Sequence, residues 1–166
     1  MPDRRRSKID VDVLQDAGVW NDFEDIETLV EAAVAEVAAE PHFALGKVSV
    51  TVVLSDDARV TDLNGQFRSK PRPTNVLSFP PGPGAAAGYL GDIVVASETV
   101  QREAHEQDIP FDHHLQHLVI HGLLHLLGMD HENEMDAEAM ERLEIKILAR
   151  LGVANPYPGA LEPDKI

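Results

Sequence analysis

The amino-acid sequence predicts an α+β domain in which a small mixed β-sheet of about four strands is backed by helices. The chain has 166 residues, enough for one domain with a normal core. Strand-like and helix-like stretches alternate, and consecutive helices follow them, an order typical of the α+β class. The most apolar helical stretch carries regularly spaced histidines, so we expect a metal site on a long core helix and the turn after it.

The first third of the chain predicts two strands with a helix between them. Residues 8–14, KIDVDVL, alternate apolar and polar side chains, as in an edge or half-buried strand. From about 23 to 39 the apolar residues recur at helical spacing, and Pro41 follows the end of this pattern. Residues 47–55, KVSVTVVLS, are rich in β-branched residues, which predicts a strand.

The middle of the chain predicts a helix followed by two more strands. The polar residues 55–57 can cap a helix that extends to Phe67. Residues 76–79 and 90–97 have strand-like patterns, and the stretch 80–88, which is rich in proline and glycine, connects them.

The last part of the chain predicts three helices. A polar helix extends over residues 97–107, the long histidine-bearing helix begins at Pro110, and a third helix covers about 135–151. We expect one domain over the whole chain, residues 1–166, with loose tails at 1–7 and 155–166.

Three histidines have the spacing of a metal site. His121 and His125 are four residues apart, so they share one face of a helix and can bind one ion together. Gly128 lets the chain leave the helix, because glycine tolerates positive φ angles. His131 can then reach the same ion, which gives three nitrogen ligands and an open fourth position, the layout of a catalytic zinc site.

The alternative use of such a histidine pair is a polar helix surface. The neighbouring residues are almost all apolar, however, which places the helix in the core, where an unpaired imidazole costs roughly a few kcal/mol. A metal site is therefore the favoured interpretation. His117 lies one turn earlier on the same face, and we expect it to support the site without binding the metal, because a catalytic site keeps one position for water.

One position departs from the metalloprotease motif H-E-x-x-H. In that motif the glutamate after the first histidine is the general base of peptide hydrolysis. Here the position is Gly122, which has no side chain to accept a proton. The pattern therefore indicates a metal-dependent enzyme that is not a peptidase of that mechanism.

The net charge of −15 argues against simple adhesion to nucleic acid, because the overall field repels phosphate. An anionic ligand would have to be recognised locally. Half of the basic residues lie in two short clusters, Arg4, Arg5, Arg6 and Lys8, then Arg68, Lys70 and Arg72. We interpret the acidic run at 132–144 as a solvated helix face.

The chain has no cysteine, which excludes disulfides and thiolate metal ligands. No apolar stretch is long enough to span a membrane, and no signal-peptide pattern is present. A cytoplasmic protein is the expectation.

Three motifs, in this order, resemble the YbeY family of metal-dependent endoribonucleases. They are LNGQFRSKPRPTNVLSFP at 63–80, GDIVVAS at 91–97 and HGLLHLLGMDH at 121–131. The resemblance implies an enzyme that cuts single-stranded RNA in ribosomal RNA maturation, including the 3′ end of 16S rRNA, and in ribosome quality control. The expected partners are precursor RNA and the small ribosomal subunit, with neither DNA nor a membrane.

The resemblance also implies roles for individual residues. The zinc ligands, one ion per chain, would be His121, His125 and His131. Arg68 would be the functional arginine of the family; its guanidinium offers paired donors to phosphate oxygens. Lys70 and Arg72 are candidates to bind neighbouring phosphates. The catalytic residues are then expected to be Arg68, His121 and His125.

Two other functions fit the same residues. The chain could be a ribosome-assembly factor with a mainly structural metal, or a metal-dependent hydrolase of another substrate. A fourth protein ligand, such as His117, would favour a structural metal, and Gly122 opposes a peptide substrate.

Overall fold

A computed structural model describes residues 7–16, 20, 25–68, 75–129 and 134–157, with only the backbone described at 67, 68 and 134. The described elements follow the predicted order. They are β1 (Lys8–Gln15), α1 (Ile26–Ala38), β2 (Lys47–Ser55), α2 (Asp57–Arg68), β3 (Val76–Phe79), β4 (Tyr89–Ala96), α3 (Ser97–Gln107), α4 (Phe111–Leu126) and α5 (Glu134–Arg150).

The four strands form one mixed sheet in the order β1-β2-β4-β3, which confirms the predicted α+β class. The pairs β1–β2 and β2–β4 are parallel, and β3 lies antiparallel to β4. The strand β1 is an edge strand, as its alternating pattern predicts. In the register, Val11 lies opposite Val50, and Leu77 lies opposite Val94.

Helices cover the two faces of the sheet unequally. On one face, Ile93 and Val95 of β4 belong to the main core, which also contains the buried residues of α1, α4 and α5. On the other face, Val94 and Ala96 pack with Val60 of α2 in a smaller cluster. The helix α4 lies within the main core and contacts α1, α3, α5 and the strands β3 and β4. It is therefore the element that joins the helical layer to the sheet.

Local interactions define the ends of two helices. The Asp56 carboxylate accepts the backbone N–H of Arg59 at 2.8 Å and caps the start of α2, as the sequence predicts. At the end of α4, Gly128 has a φ of 99°, and its N–H donates to His125 O at 3.1 Å. The Met129 N–H donates to Leu124 O at 3.0 Å, which completes a Schellman motif. The glycine exit expected from the sequence is thus present.

Within the described residues, none of the helices combines the length and the apolar character that a membrane crossing requires.

Candidate metal centre

Four imidazoles form a row along α4. The ring centroids are 6.2 Å apart between His114 and His117, 6.4 Å between His117 and His121, and 6.2 Å between His121 and His125. The exposed fraction of the side chain rises from 5% at His114 to 12% at His117 and 25% at His121. The row therefore begins inside the protein and approaches the surface at the pair that the sequence predicts to be metal ligands.

A backbone carbonyl determines the tautomer of His125. Its Nδ1 lies 2.8 Å from the carbonyl oxygen of Met129, in the turn that Gly128 begins. Because a carbonyl oxygen can only accept, Nδ1 carries the proton, and in the neutral ring Nε2 carries the lone pair. The chain that follows α4 thus prepares His125 to donate Nε2 to a metal ion.

A buried carboxylate does the same for His121. The Nδ1 atom of His121 lies 2.9 Å from Oε2 of Glu144 in α5. Burial alone would raise the pKa of Glu144, but hydrogen bonds from His117 and His121 and their charge outweigh it and lower this pKa to about 2. The carboxylate is ionised at neutral pH and accepts a hydrogen bond from Nδ1–H, so His121 also presents Nε2.

The prediction that the acidic run at 132–144 is a solvated helix face is wrong at Glu144. Its side chain is completely buried. It lies on the stripe of α5 that also contains the buried Met140, Ile147 and Leu148, and this helical spacing is the sequence signal that could have identified it. Glu138, by contrast, is exposed, as expected.

Tyr157 also belongs to the site. It lies in the stretch 155–166, predicted as a loose tail, yet its hydroxyl donates to Oε1 of Glu144 at 2.7 Å and lies 3.0 Å from Nε2 of His117. Burial and the charge of Glu144 raise the pKa of Tyr157 above its ordinary value, so the hydroxyl keeps the proton that it donates. No pattern in the sequence marks this contact.

The remaining predicted site residues lie outside the described part of the chain. They are His131, Lys70, Arg72 and the side chain of Arg68. The backbone of Arg68 is described and ends α2. Within the described ranges, no group of three or more histidine, cysteine, aspartate or glutamate side chains is placed to hold a metal ion. The described part therefore supplies two imidazoles of the predicted site, His121 and His125, and the predicted third ligand, His131, lies outside it.

Asn75 is the first described residue after the proline-containing segment that follows Arg68. The backbone oxygen of Asn75 accepts the N–H of Ala96 at 3.0 Å, and its side-chain amide donates to Oε1 of Glu103 at 3.0 Å. The same oxygen of Glu103 lies 2.9 Å from Nε2 of His114, in the histidine row. The end of this segment is thus joined through α3 to the helix that carries the site.

The donor set fits a metal ion that prefers nitrogen ligands. Histidines that bind metals usually donate their other ring N–H to a carboxylate or a backbone carbonyl, and His121 and His125 do this through Glu144 and Met129. Two imidazoles on one helical face suit zinc and related divalent ions.

The statistical model of the family described as "Endoribonuclease YbeY" matches residues 14–152. The chain belongs to the YbeY family. Curated members named Endoribonuclease YbeY include one from Bradyrhizobium sp. that is 45% identical over 88% of this chain and 90% of its own length. Another, from Methylocella silvestris, is 46% identical over 89% of this chain and 85% of its own length. The resemblance inferred from the three motifs is therefore confirmed.

The fold agrees with this membership. A solution structure of a Thermotoga maritima protein aligns with a TM-score of 0.50 and 26% identity, and the alignment covers 93% of this chain and all of that protein. YbeY-family membership supports a nuclease that acts on RNA.

Proposed function

We propose that this chain is a zinc-dependent endoribonuclease that cuts single-stranded RNA. Its role would be maturation of ribosomal RNA, including the 3′ end of 16S rRNA, and ribosome quality control on the small subunit in the cytoplasm. The observation that supports this best is the pair His121 and His125, each with Nδ1 held by an acceptor, in a chain of the YbeY family.

Within this proposal, His121, His125 and His131 hold one zinc ion. His131 is the second residue after Met129, whose carbonyl holds His125, so the chain leaves α4 in the vicinity of the two other ligands. When bound, the ion lowers the pKa of a coordinated water to about 7. With three protein ligands, the site would be open to substrate or water, as catalytic zinc sites are.

The position of His117 favours a catalytic over a mainly structural metal. Its Nε2 lies 2.7 Å from Oε1 of Glu144 and 3.0 Å from the Tyr157 hydroxyl, so this nitrogen is already in a hydrogen-bonded cluster. A structural zinc site requires four protein ligands, and His117 was the candidate for the fourth. The contacts of His117 therefore support the enzyme over the assembly factor.

RNA recognition is assigned to the basic cluster around the proline segment. We propose that Arg68 binds the phosphate that reacts, because its guanidinium can donate to two oxygens and stabilise the charge that develops there. Lys70 and Arg72 would bind adjacent phosphates and orient the strand. RNA supplies its own nucleophile in the 2′-hydroxyl, whose proton must still be removed. A bound metal would make its coordinated water basic enough to take that proton, so a base at position 122 is less necessary than it is for a peptidase.

The metal content of purified variants tests the site. We expect about one zinc per chain in the unaltered protein and a sharp loss of zinc in His121→Ala, His125→Ala and His131→Ala. The exposed His105→Ala should keep the metal with unaltered affinity. His117→Ala should still hold about one zinc per chain at saturating zinc, because it removes a contact of Glu144 and no ligand. Elemental analysis at equal protein concentration measures this. Full zinc content in His131→Ala would show that the turn after α4 does not provide the third ligand.

A further inference from the structure

We infer that Glu144 is the positioning residue of the proposed metal centre and that Tyr157 fixes its carboxylate. This inference rests on the proposed function, since it assigns a role toward the same ion. Neither residue would touch the metal or the RNA. Their effect would be transmitted through the imidazole of His121.

The Glu144 carboxylate divides its two oxygens between two tasks. Its Oε2 faces Nδ1 of His121 at 2.9 Å, and its Oε1 faces Nε2 of His117 at 2.7 Å and the Tyr157 hydroxyl at 2.7 Å. The contacts on Oε1 fix the rotation of the carboxylate. Oε2 is thereby directed at the ring of His121, and the ring is held in one orientation and one tautomer.

The burial of Glu144 makes a purely packing role a poor explanation. A charged carboxylate with no exposed surface is costly to bury, whereas an apolar side chain of similar size would pack among Met140, Ile147 and Leu148 without that cost. Two imidazoles and a phenol from outside α5 converge on it instead. The arrangement is explained if the carboxylate determines which ring nitrogen of His121 faces the proposed metal ion.

His125 provides an internal comparison. Its Nδ1 is held by the backbone carbonyl of Met129, which a side-chain substitution does not remove. A change at Glu144 should therefore disturb one ligand and leave the other in place. We expect weaker metal binding, not its abolition.

The test is the zinc affinity of Glu144→Gln, measured by competition with a chromogenic chelator at pH 7.5. The amide has the size of the carboxylate. Its NH2 group, however, replaces an oxygen that accepts a hydrogen bond, and it would face one of the donors that Glu144 now binds. Loss of such a supporting partner typically weakens metal binding about 10- to 100-fold, and we expect a loss in this range. Tyr157→Phe, which keeps the carboxylate and removes one donor to it, should weaken zinc binding in the same direction by a smaller factor.

Gln116→Leu is the matched control. Like Glu144, Gln116 is a buried polar residue, but it lies on α4, and its side chain donates to Leu29 O at 3.0 Å and not to the histidine cluster. This variant should bind zinc with the affinity of the unaltered protein even if its melting temperature falls. If Gln116→Leu lost as much zinc affinity as Glu144→Gln, any disturbance of α4 would weaken zinc binding. The inference would then be overturned.

Imidazole ¹⁵N chemical shifts give a readout that a packing role would not move. At pH 8 in the metal-free protein, His121 should be in the Nδ1–H form, whereas in Glu144→Gln it should become a mixture of tautomers. His125 should stay in the Nδ1–H form in both proteins. An unchanged His121 tautomer in Glu144→Gln would overturn the inference.

Different results would overturn the role of Glu144 and the proposed metal site. If His121→Ala loses zinc but Glu144→Gln binds it with unaltered affinity, the positioning role is wrong and the metal site stands. If His121→Ala itself binds zinc normally, the metal site is wrong, and the role of Glu144 falls with it. Should Glu144→Gln fail to fold, unaltered zinc affinity in Tyr157→Phe would overturn the inference.

Discussion

At Gly122 the backbone of α4 lies against the sheet without room for a side chain. A Cβ atom at this position would lie 3.0 Å from Cγ2 of Ile93 and 3.0 Å from Oγ of Ser78. The Ser78 hydroxyl also donates to the carbonyl oxygen of Gly122 at 3.1 Å. The glutamate of the H-E-x-x-H motif would therefore point into the contact between α4 and the strands β3 and β4, where it could not act as a base.

Substitutions at Gly122 test this close approach. Gly122→Ala should lower the free energy of unfolding by about 1 kcal/mol, because overpacking of about 1–3 kcal/mol exceeds the gain of up to about 1 kcal/mol in helix propensity. Gly122→Glu should lower it by more than about 3 kcal/mol, since a charge must also be buried. Urea denaturation measures both. Gly82→Ala is the control, because among the described residues no heavy atom beyond its chain neighbours lies within 4 Å of a Cβ there.

A stability of Gly122→Glu equal to that of the unaltered protein would show that the helix can move away from the sheet. The absence of a base at this position would then have no steric cause.

At the scale of elements, α1 and α5 are joined by an ion-pair cluster. The Glu40 carboxylate accepts Nζ of Lys146 at 3.0 Å and Nη2 of Arg150 at 3.2 Å, and Arg150 Nε donates to Glu36 at 2.9 Å. Glu40 is only 4% exposed. Burial alone would raise its pKa, but the hydrogen bonds and charges of Lys146 and Arg150 lower it below the ordinary value of 4.5.

Glu40→Gln should lower the free energy of unfolding by about 1–2 kcal/mol at pH 7, between the values for exposed and buried pairs, because both cations are partly exposed. A carboxyl group whose pKa is depressed in the folded state stabilises the fold above its ordinary pKa and loses this effect as the pH falls below it. The difference between the two proteins should therefore shrink below pH 4.5.

Urea unfolding at several pH values measures this difference, with Glu36→Gln as the more exposed control. A difference that stays constant between pH 7 and pH 3 would show that the charge of Glu40 does not contribute.

The elements were predictable from the sequence because their signals are local. The strand β2 covers the predicted residues 47–55, and Gly128 ends α4 through hydrogen bonds within five residues. The shared face of His121 and His125 follows from their spacing on one helix. The contact between His121 and Glu144 spans 23 residues and depends on how α5 packs, so no local pattern could predict it.

For the molecule as a whole, the negative net charge repels the proposed RNA substrate. The chain carries 29 acidic and 14 basic residues, so the overall field opposes RNA binding. The proposed contacts are confined to Arg68, Lys70 and Arg72, on the segment that ends at Asn75 and is joined through Glu103 to the histidine row. If these contacts bind RNA as proposed, the affinity for RNA depends on a short basic cluster in an otherwise acidic chain.

A metal-dependent ribonuclease at this site is tested by cleavage of a single-stranded RNA with metal-replete protein and with variants purified in parallel. The unaltered protein should cut the RNA, while His125→Ala and Arg68→Ala should lose most of this activity, and Arg68→Lys should recover little because a point charge lacks paired donors. His105→Ala, an exposed histidine of α3, should cut at the unaltered rate. Cleavage by His125→Ala at the rate of the unaltered protein would contradict a metal-dependent ribonuclease at this site.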